Sequence, residues 1–373
     1  MQNYYQQNVF DDQTLDVTLQ LSLVGTLCGL LSNSMSLPAQ ILRSIYGTKF
    51  VLNIGSTLMV IGLVAAGFTT EIWHLYLTQA VCFGAGVGFV YSTSLAIAPQ
   101  YFYRKRGVAL GCLSSGASIG GLVIPFMMTP INNSLGGAWT YRILGIICFV
   151  FTFLGCYLTK DRVPLPRSRK SVNVICSLDI FRNKNYLLWC LAATFQMAGY
   201  YIPSFYIPSY ATYLGLSTAQ GSALISINFA SNFFGRFFSG ALGDRLGPIN
   251  SNFLFVTITG LSSMLLWKFA YSYGMLIAFM IVFGFACGSY FSLVSPIVAF
   301  LLSTENFSIG LAINIFIAAF GILGATLASA IESHVTPEPF LTFKMFTGVA
   351  YILASFTLLC LKLNVNRTLL AKV

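Results

Sequence analysis

Charged residues are scarce in this sequence. Asp, Glu, Lys and Arg make up 8% of the 373 residues, whereas soluble domains carry about 25%. So few charged side chains cannot cover a water-facing surface, which excludes an ordinary soluble protein. There are only two histidines, and the nine cysteines show neither metal-ligand nor CxxC spacing. No metal ion or other cofactor is therefore expected.

Acidic residues are absent from the middle of every long apolar run. All ten Asp and Glu lie in loops or at the ends of runs. Acid–base and metal chemistry need clustered ionisable side chains, and no run contains such a cluster. An intramembrane enzyme is therefore the weakest of the alternatives.

Apolar residues dominate the chain, at 56% of the total. A helix needs about 20 apolar residues to cross a bilayer, and eleven runs reach that length without the alternation typical of strands. The sequence therefore predicts an all-α polytopic membrane protein that lies in the lipid bilayer. The predicted spans are 15–41, 50–70, 73–98, 107–131, 139–159, 185–213, 219–242, 251–270, 274–302, 309–331 and 341–362.

Basic residues are concentrated in the loops on one face. All but four of the 20 Lys and Arg lie there, and such a bias marks the cytoplasmic side. The net charge of +10 thus indicates orientation, and no nucleic-acid partner is expected. The C-terminus falls on the cytoplasmic face, and eleven crossings place Met1 outside. We therefore expect one further helix before Met1.

A polar stretch divides the spans into two groups. The predicted organisation is an extracellular N-terminal stub, a five-helix half-bundle, a cytoplasmic linker, a six-helix half-bundle and a cytoplasmic tail, at 1–14, 15–159, 160–184, 185–362 and 363–373. An offset of 200 residues keeps glycines in equivalent places, such as Gly47 with Gly247 and Gly84 with Gly284. Parallel repeats of this kind occur in many transporters.

The clearest motif runs from Gly235 to Gly247. It resembles the G-x-L-x-D-R-x-G loop signature of the major facilitator superfamily. Gly240 and Gly247 would allow close packing and a tight turn. Asp244 ends a helix, where it can cap a neighbouring helix N-terminus or pair with a cation. With Arg245, it is expected to stabilise one gate state.

Other segments resemble the monocarboxylate transporter family, in its fungal branch. They are the run from Tyr101 to Gly111, which includes Arg104 and Arg106, and the runs 206–211 and 228–236. The resemblance implies a major facilitator fold of two pseudo-symmetric helix bundles, with eleven of twelve helices present. It assigns Arg104 and Arg106 to the conserved gating or structural motif of that family.

Arg236 is the main candidate for substrate binding. It lies within a span, roughly 10 Å from its predicted cytoplasmic end, and arginine in a membrane normally faces a cavity or a partner. In the resembled family, an arginine at this motif position binds the substrate carboxylate. The alternative is an arginine that extends to the cytoplasmic interface.

Asn232 precedes Arg236 by four residues, so the two share a helix face. Many animal members of the family have an aspartate there, linked to proton coupling, and Asn cannot carry a proton. Tyr201, Tyr206 and Ser292 are further candidates for contact with the substrate.

The sequence thus predicts a secondary transporter of small, anionic, monocarboxylate-like solutes that works by alternating access. Riboflavin or another small solute is an alternative substrate, because some fungal relatives carry riboflavin. A non-transporting sensor or an inactive truncated paralogue is a second alternative. The plasma membrane is the expected location, with the vacuolar and mitochondrial membranes as alternatives.

Overall fold

The computed structural model describes residues 15–102, 104–162, 178–335 and 338–366. These residues form helices and turns, and no strand occurs among them. The predicted all-α fold is therefore confirmed. The predicted stub, most of the linker and most of the tail lie outside the described residues.

Fifteen α-helices make up the described part of the chain. In order they are α1 Leu15–Ser34, α2 Ser36–Tyr46, α3 Thr48–Ala66, α4 Ile72–Leu75, α5 Gly84–Tyr101, α6 Arg106–Leu158, α7 Lys184–Tyr200, α8 Ile202–Tyr213, α9 Thr218–Leu246, α10 Pro248–Ser262, α11 Tyr273–Cys287, α12 Ser289–Leu301, α13 Thr304–Ala319, α14 Gly324–Val335 and α15 Leu341–Val365. Two π-helical segments, Tyr76–Phe83 and Ser263–Trp267, follow α4 and α10.

Helix α6 consists of two membrane-length helices joined at a bend. Gly136 has φ 82 and ψ 169 at that point, a conformation that glycine adopts without steric cost. The two parts are α6a, Arg106–Asn132, and α6b, Ser134–Leu158.

Eight helical segments of the described residues are long and apolar enough to span a membrane. The predicted spans 15–41, 185–213 and 219–242 are not among them. The first is interrupted at Met35, and the second at Tyr201, before the ring of Pro203. The third, α9, is continuous but carries several polar residues. The number of crossings therefore stays a prediction.

Local sequence features explain where several of the helices begin and end. Ser217 and Gln220 form a capping box at the start of α9, and the side chain of Asn183 accepts two backbone N–H groups at the start of α7. Gly247, with φ 98, ends α9, and Pro248 begins α10. Gly47, with φ 89, separates α2 from α3 in the same way. The two glycines matched by the 200-residue offset thus share a backbone conformation.

The chain forms two compact units. The first comprises residues 1–100 and 123–177, and the second comprises residues 101–122 and 178–373. In the first unit, α1 packs on the π-helical turn Tyr76–Phe83, and a buried cluster includes Leu21, Val24 and Tyr141. In the second, α15 packs along α7, and α9 packs along α11. The beginning of α6a, up to Leu122, belongs to the second unit.

Candidate functional site

Arg236 is buried within the second unit, with 5% of its surface exposed. Helix α9 continues from it to Leu246, a rise of about 15 Å at 1.5 Å per residue. The helix extends four residues beyond the predicted end of the span at residue 242, so Arg236 lies further from the helix end than the sequence indicated.

Three neutral groups hold the guanidinium. Its Nε donates to Asn232 Oδ1 at 2.7 Å, Nη1 donates to the carbonyl of Ser114 at 2.7 Å, and Nη2 donates to the hydroxyl of Tyr200 at 3.1 Å. The ring of Phe291 lies 4.3 Å from Cζ, in cation–π geometry. Among the described residues, no carboxylate pairs with Arg236. Its positive charge is therefore buried without a counterion from the part of the chain that the structure describes.

The hydrogen-bonding capacity of Arg236 is only partly used. A guanidinium carries five N–H groups, and the three bonds use one on each nitrogen. Each terminal nitrogen therefore keeps a second N–H. Two N–H groups on the two terminal nitrogens match the geometry in which arginine binds a carboxylate.

Asn232 links three helices. Its Oδ1 accepts from Arg236 and from Ser118 Oγ of α6a at 2.8 Å. Its Nδ2 donates to the carbonyl of Gly284 in α11 at 3.0 Å and contacts Cys287 Sγ at 3.3 Å. The side chain is 1% exposed. Asn232 therefore fixes the orientation of Arg236 rather than presenting a free amide.

The other candidates for substrate contact lie around this network rather than in it. Ser292 Oγ donates to the carbonyl of Arg236 at 2.8 Å, so it supports the backbone of α9. Tyr201 packs edge-on against Tyr200, at a centroid distance of 4.9 Å. Tyr206 stacks on Phe343 at 3.8 Å, and its contacts do not include the guanidinium.

The sequence reasoning missed Tyr200, Ser114 and Ser118 as members of the site. Ser114 and Ser118 share one face of α6a at a spacing of four residues, but nothing in the sequence shows that this face meets α9. Tyr200 and Tyr201 are adjacent identical residues, and nothing in the sequence shows that Tyr200 is the one that reaches Arg236.

The motif residues form a separate contact where α6 begins and α9 ends. Asp244 Oδ1 accepts the backbone N–H of Gly107 at 2.8 Å, and Oδ2 accepts that of Val108 at 3.0 Å. These N–H groups belong to the first turn of α6, where they have no partner within the helix. The carboxylate also lies at the positive end of the helix dipole.

Glycines allow the two helices to approach this closely. A Cβ built on Gly240 would meet the carbonyl oxygen of Gly107, and a Cβ built on Gly107 would meet the carbonyl oxygen of Gly240. The backbones are therefore in direct contact. Of the motif arginines, Arg104 and Arg245 are exposed, and Arg106 Nε donates to the carbonyl of Phe102 at 3.2 Å.

Comparison with known families agrees with this architecture. The sequence profile of the Major Facilitator Superfamily matches residues 12–325. The chain belongs to the major facilitator superfamily. It is therefore an integral membrane protein of a transporter family, and the fold class and the superfamily predicted from the sequence are both confirmed.

Two fungal relatives illustrate the similarity. The Agnestins efflux protein AgnL12 of Paecilomyces divaricatus is 27% identical over 373 residues, which cover 100% of this chain and 84% of that protein. The MFS-type transporter pynF of Aspergillus niger is 30% identical over 290 residues, which cover 77% of this chain and 66% of that protein.

Solved structures share the fold. The fucose:proton symporter FucP of E. coli superposes with a TM-score of 0.73 at 15% identity, covering 96% of this chain and 95% of that chain. The human organic anion transporter MFSD10 (TETRAN) superposes with a TM-score of 0.72 at 13% identity, covering 96% and 88%. At these identities the likeness concerns the fold alone.

Proposed function

We propose that this superfamily member carries a small organic anion of the monocarboxylate type across the membrane, and that Arg236 binds its carboxylate. The observation that supports this proposal is the buried guanidinium of Arg236, which has only neutral partners among the described residues. A buried charge without a counterion is strongly disfavoured. An anionic solute would supply the missing charge and occupy the remaining N–H groups.

Transport by alternating access would use the contact between Asp244 and the first turn of α6. The contact closes the space between α6a and α9 at that end of the second unit. In the alternate conformation the two helices separate and Asp244 loses both N–H partners. A contact of this kind stabilises one conformation without holding it irreversibly.

The orientation and the location belong to the same proposal. The positive-inside rule favours basic loops and a C-terminus on the cytoplasmic side, and the plasma membrane is the location that suits a carrier of external or exported solutes.

A second candidate function is export of a larger organic compound. It is favoured by relatives whose names describe efflux, including the Agnestins efflux protein and the Aspyridones efflux protein apdF of Emericella nidulans, which is 30% identical over 65% of this chain and 49% of that protein. Export and carboxylate binding are compatible if the exported compound is an acid.

The test is transport by the purified protein in liposomes. We expect radiolabelled pyruvate or lactate to exchange across the membrane in the presence of the wild-type protein, and riboflavin to exchange more slowly. Arg236→Ala should abolish the exchange, and Arg236→Lys should reduce it, because lysine lacks the planar fork. Arg182→Ala, at an exposed position outside the motif, is the matched control for loss of a cation. Exchange by Arg236→Ala at the wild-type rate would refute the assigned role.

A binding assay separates carriers from sensors. Thermal stabilisation by the same anions, measured with the same variants, reports binding without flux. Stabilisation that depends on Arg236 without any exchange would favour the non-transporting alternative.

A further inference from the structure

Four aromatic side chains form a continuous row in the second unit. The ring of Phe291 in α12 packs against Tyr200 at the end of α7, with a centroid distance of 5.0 Å. Tyr200 packs edge-on against Tyr201 at 4.9 Å, and Tyr201 stacks on Phe205 of α8 at 5.9 Å. We call these four residues the aromatic wall. The wall therefore runs from α12 across the break between α7 and α8.

The wall begins at the guanidinium of Arg236. The ring of Phe291 lies 4.3 Å from Cζ, and the hydroxyl of Tyr200 accepts from Nη2 at 3.1 Å. Tyr201 and Phe205 continue the row beyond these two contacts. A carboxylate bound to the remaining N–H groups of Arg236 would therefore bring the carbon body of the acid next to aromatic rings.

The exposure of the wall distinguishes it from the aromatic core behind it. Tyr290 packs on Phe291 at 5.3 Å, and Trp189 packs on Tyr290 at 6.1 Å, but Tyr290 and Trp189 are only 3% and 0% exposed. Phe205 is 51% exposed, and the other members of the wall are partly exposed. Rings that only fill the interface between helices need no accessible surface. The wall thus has surface available for a ligand.

The helix face that carries Phe205 differs from the faces that suit lipid. Ser209 and Thr212 follow Phe205 by four and seven residues, so they lie on the same face of α8, and both are exposed. The exposed residues of α6b, by contrast, are mostly apolar, such as Ile146 and Phe153. Hydroxyl groups are costly to place in hydrocarbon. The face of Phe205 therefore suits a water-filled solute path better than lipid.

We propose that the aromatic wall binds the ring system of an aromatic carboxylic acid whose carboxylate is held by Arg236. This substrate class rests on the proposed function, and it narrows the substrate from monocarboxylates in general to acids with a planar aromatic body. Binding sites for small ligands combine apolar and aromatic walls with a few polar groups that fix the orientation. Here Arg236 supplies the polar group, and the wall supplies rings for offset or edge-to-face stacking.

The extent of the wall determines which acids use it. Lactate and pyruvate have only a methyl group at the end opposite the carboxylate, so they reach Arg236 without stacking on the wall. A fused bicyclic acid such as naphthoate presents a planar surface to more than one ring. Each aromatic pair should raise the affinity roughly two- to tenfold. Naphthoate should therefore bind more tightly than lactate by roughly tenfold.

The test is calorimetric titration of the purified protein with lactate, with naphthoate and with naphthalenemethanol, the uncharged analogue of naphthoate. We expect naphthoate to bind roughly tenfold more tightly than lactate, and the alcohol to bind far more weakly than the acid. Arg236→Ala should abolish the binding of both acids. Equal affinities for lactate and naphthoate, both dependent on Arg236, would overturn the aromatic substrate class and leave the proposed function intact. Absence of any binding that depends on Arg236 would refute the proposed function and the aromatic substrate class together.

Substitutions in the wall give a second readout. Phe205→Ala and Tyr201→Ala should each weaken naphthoate binding roughly two- to tenfold. They should leave lactate binding unchanged, which also shows that the variants are folded. Phe205→Tyr keeps a ring and should retain the wild-type affinity for naphthoate.

Phe300→Ala is the matched control for loss of a ring. Phe300 lies in α12 outside the wall, and its exposure of 48% is close to that of Phe205. This variant should bind both acids as the wild-type protein does. Wild-type affinity for naphthoate in both Phe205→Ala and Tyr201→Ala would contradict the role of the wall.

Discussion

Replacing Gly240 by alanine should destabilise the described conformation, although alanine is the better helix former. In the interior of a helix, Gly→Ala gains about 1 kcal/mol from backbone propensity. At Gly240 the new methyl group would overlap the carbonyl oxygen of Gly107. The methyl group is held rigidly on the backbone of α9 and the oxygen belongs to the backbone of α6, so relief requires α6 to move away from α9.

The size of the effect follows from the contact that this movement breaks. A shift of about 1 Å would restore ordinary contact distances. It would also stretch the bonds from Asp244 to Gly107 and Val108, now 2.8 and 3.0 Å, beyond hydrogen-bonding range. Each bond to a charged group contributes about 1.5–3 kcal/mol. After the propensity gain is subtracted, the described conformation should lose roughly 2–5 kcal/mol.

Gly116→Ala is the matched control. Gly116 lies in α6a, and a Cβ there would have no atom within 4 Å, so only the favourable propensity change remains. The assay is thermal unfolding of the purified protein in detergent, followed by a thiol-reactive dye that labels the buried Cys190 and Cys287 as they become accessible. Gly240→Ala should unfold at a lower temperature than wild type, and Gly116→Ala should not. Equal unfolding temperatures for the two variants would refute the backbone-contact argument.

Two further predictions concern buried polar groups in the second unit. Asn232→Asp places a carboxylate beside Arg236 that competes with an anionic solute for the guanidinium, so calorimetric titration of pyruvate should show binding weakened roughly tenfold. Lys344→Met removes the ammonium donor that lies 2.8 Å from Tyr210 Oη, and it should lower the free energy of unfolding by about 1–3 kcal/mol, measured by thermal unfolding. The control is Lys268→Met, at an exposed position, which should change the free energy of unfolding by less than about 0.5 kcal/mol.

Two local features of the site could be predicted from the sequence. The four-residue spacing placed Asn232 and Arg236 on one helix face, and their side chains lie 2.7 Å apart. The position of Asp244 at a helix end suggested two partners, a helix N-terminus or a cation, and it contacts the N-terminus of α6. The first inference uses a distance of about one helical turn, which the helix geometry determines. The second uses only the position of Asp244 at a helix end, and the sequence did not identify α6 as the partner.

Contacts between distant segments could not be predicted in this way. Ser114 and Ser118 reach Arg236 and Asn232 only because α6a crosses α9, and a single sequence contains no record of that crossing. Tyr200, at the end of α7, reaches the guanidinium, and the sequence does not show which neighbouring tyrosine does so. Arg43, treated from the sequence as an orientation signal, is fully buried and pairs with Asp161 at 3.5 Å.

The two copies of the loop motif show how the repeats have diverged. Gly47 and Gly247 keep the same positive-φ conformation, so the turn geometry is common to both. The 200-residue offset places Ser44 at the counterpart of Asp244, and Ser44 Oγ bonds only to the carbonyl of Ile41, within its own helix.

In the first copy the charged contact is made by Arg43, and not by the residue at the position of Asp244. Arg43 Nε donates to Thr48 Oγ1 at 3.0 Å across the Gly47 turn, and its ion pair with Asp161 stays within the first unit. The carboxylate that caps a distant helix is found in the second copy, so the proposed gate is assigned to Asp244. For the same reason one added methyl group should have a large effect at Gly240 and not at its counterpart Gln40.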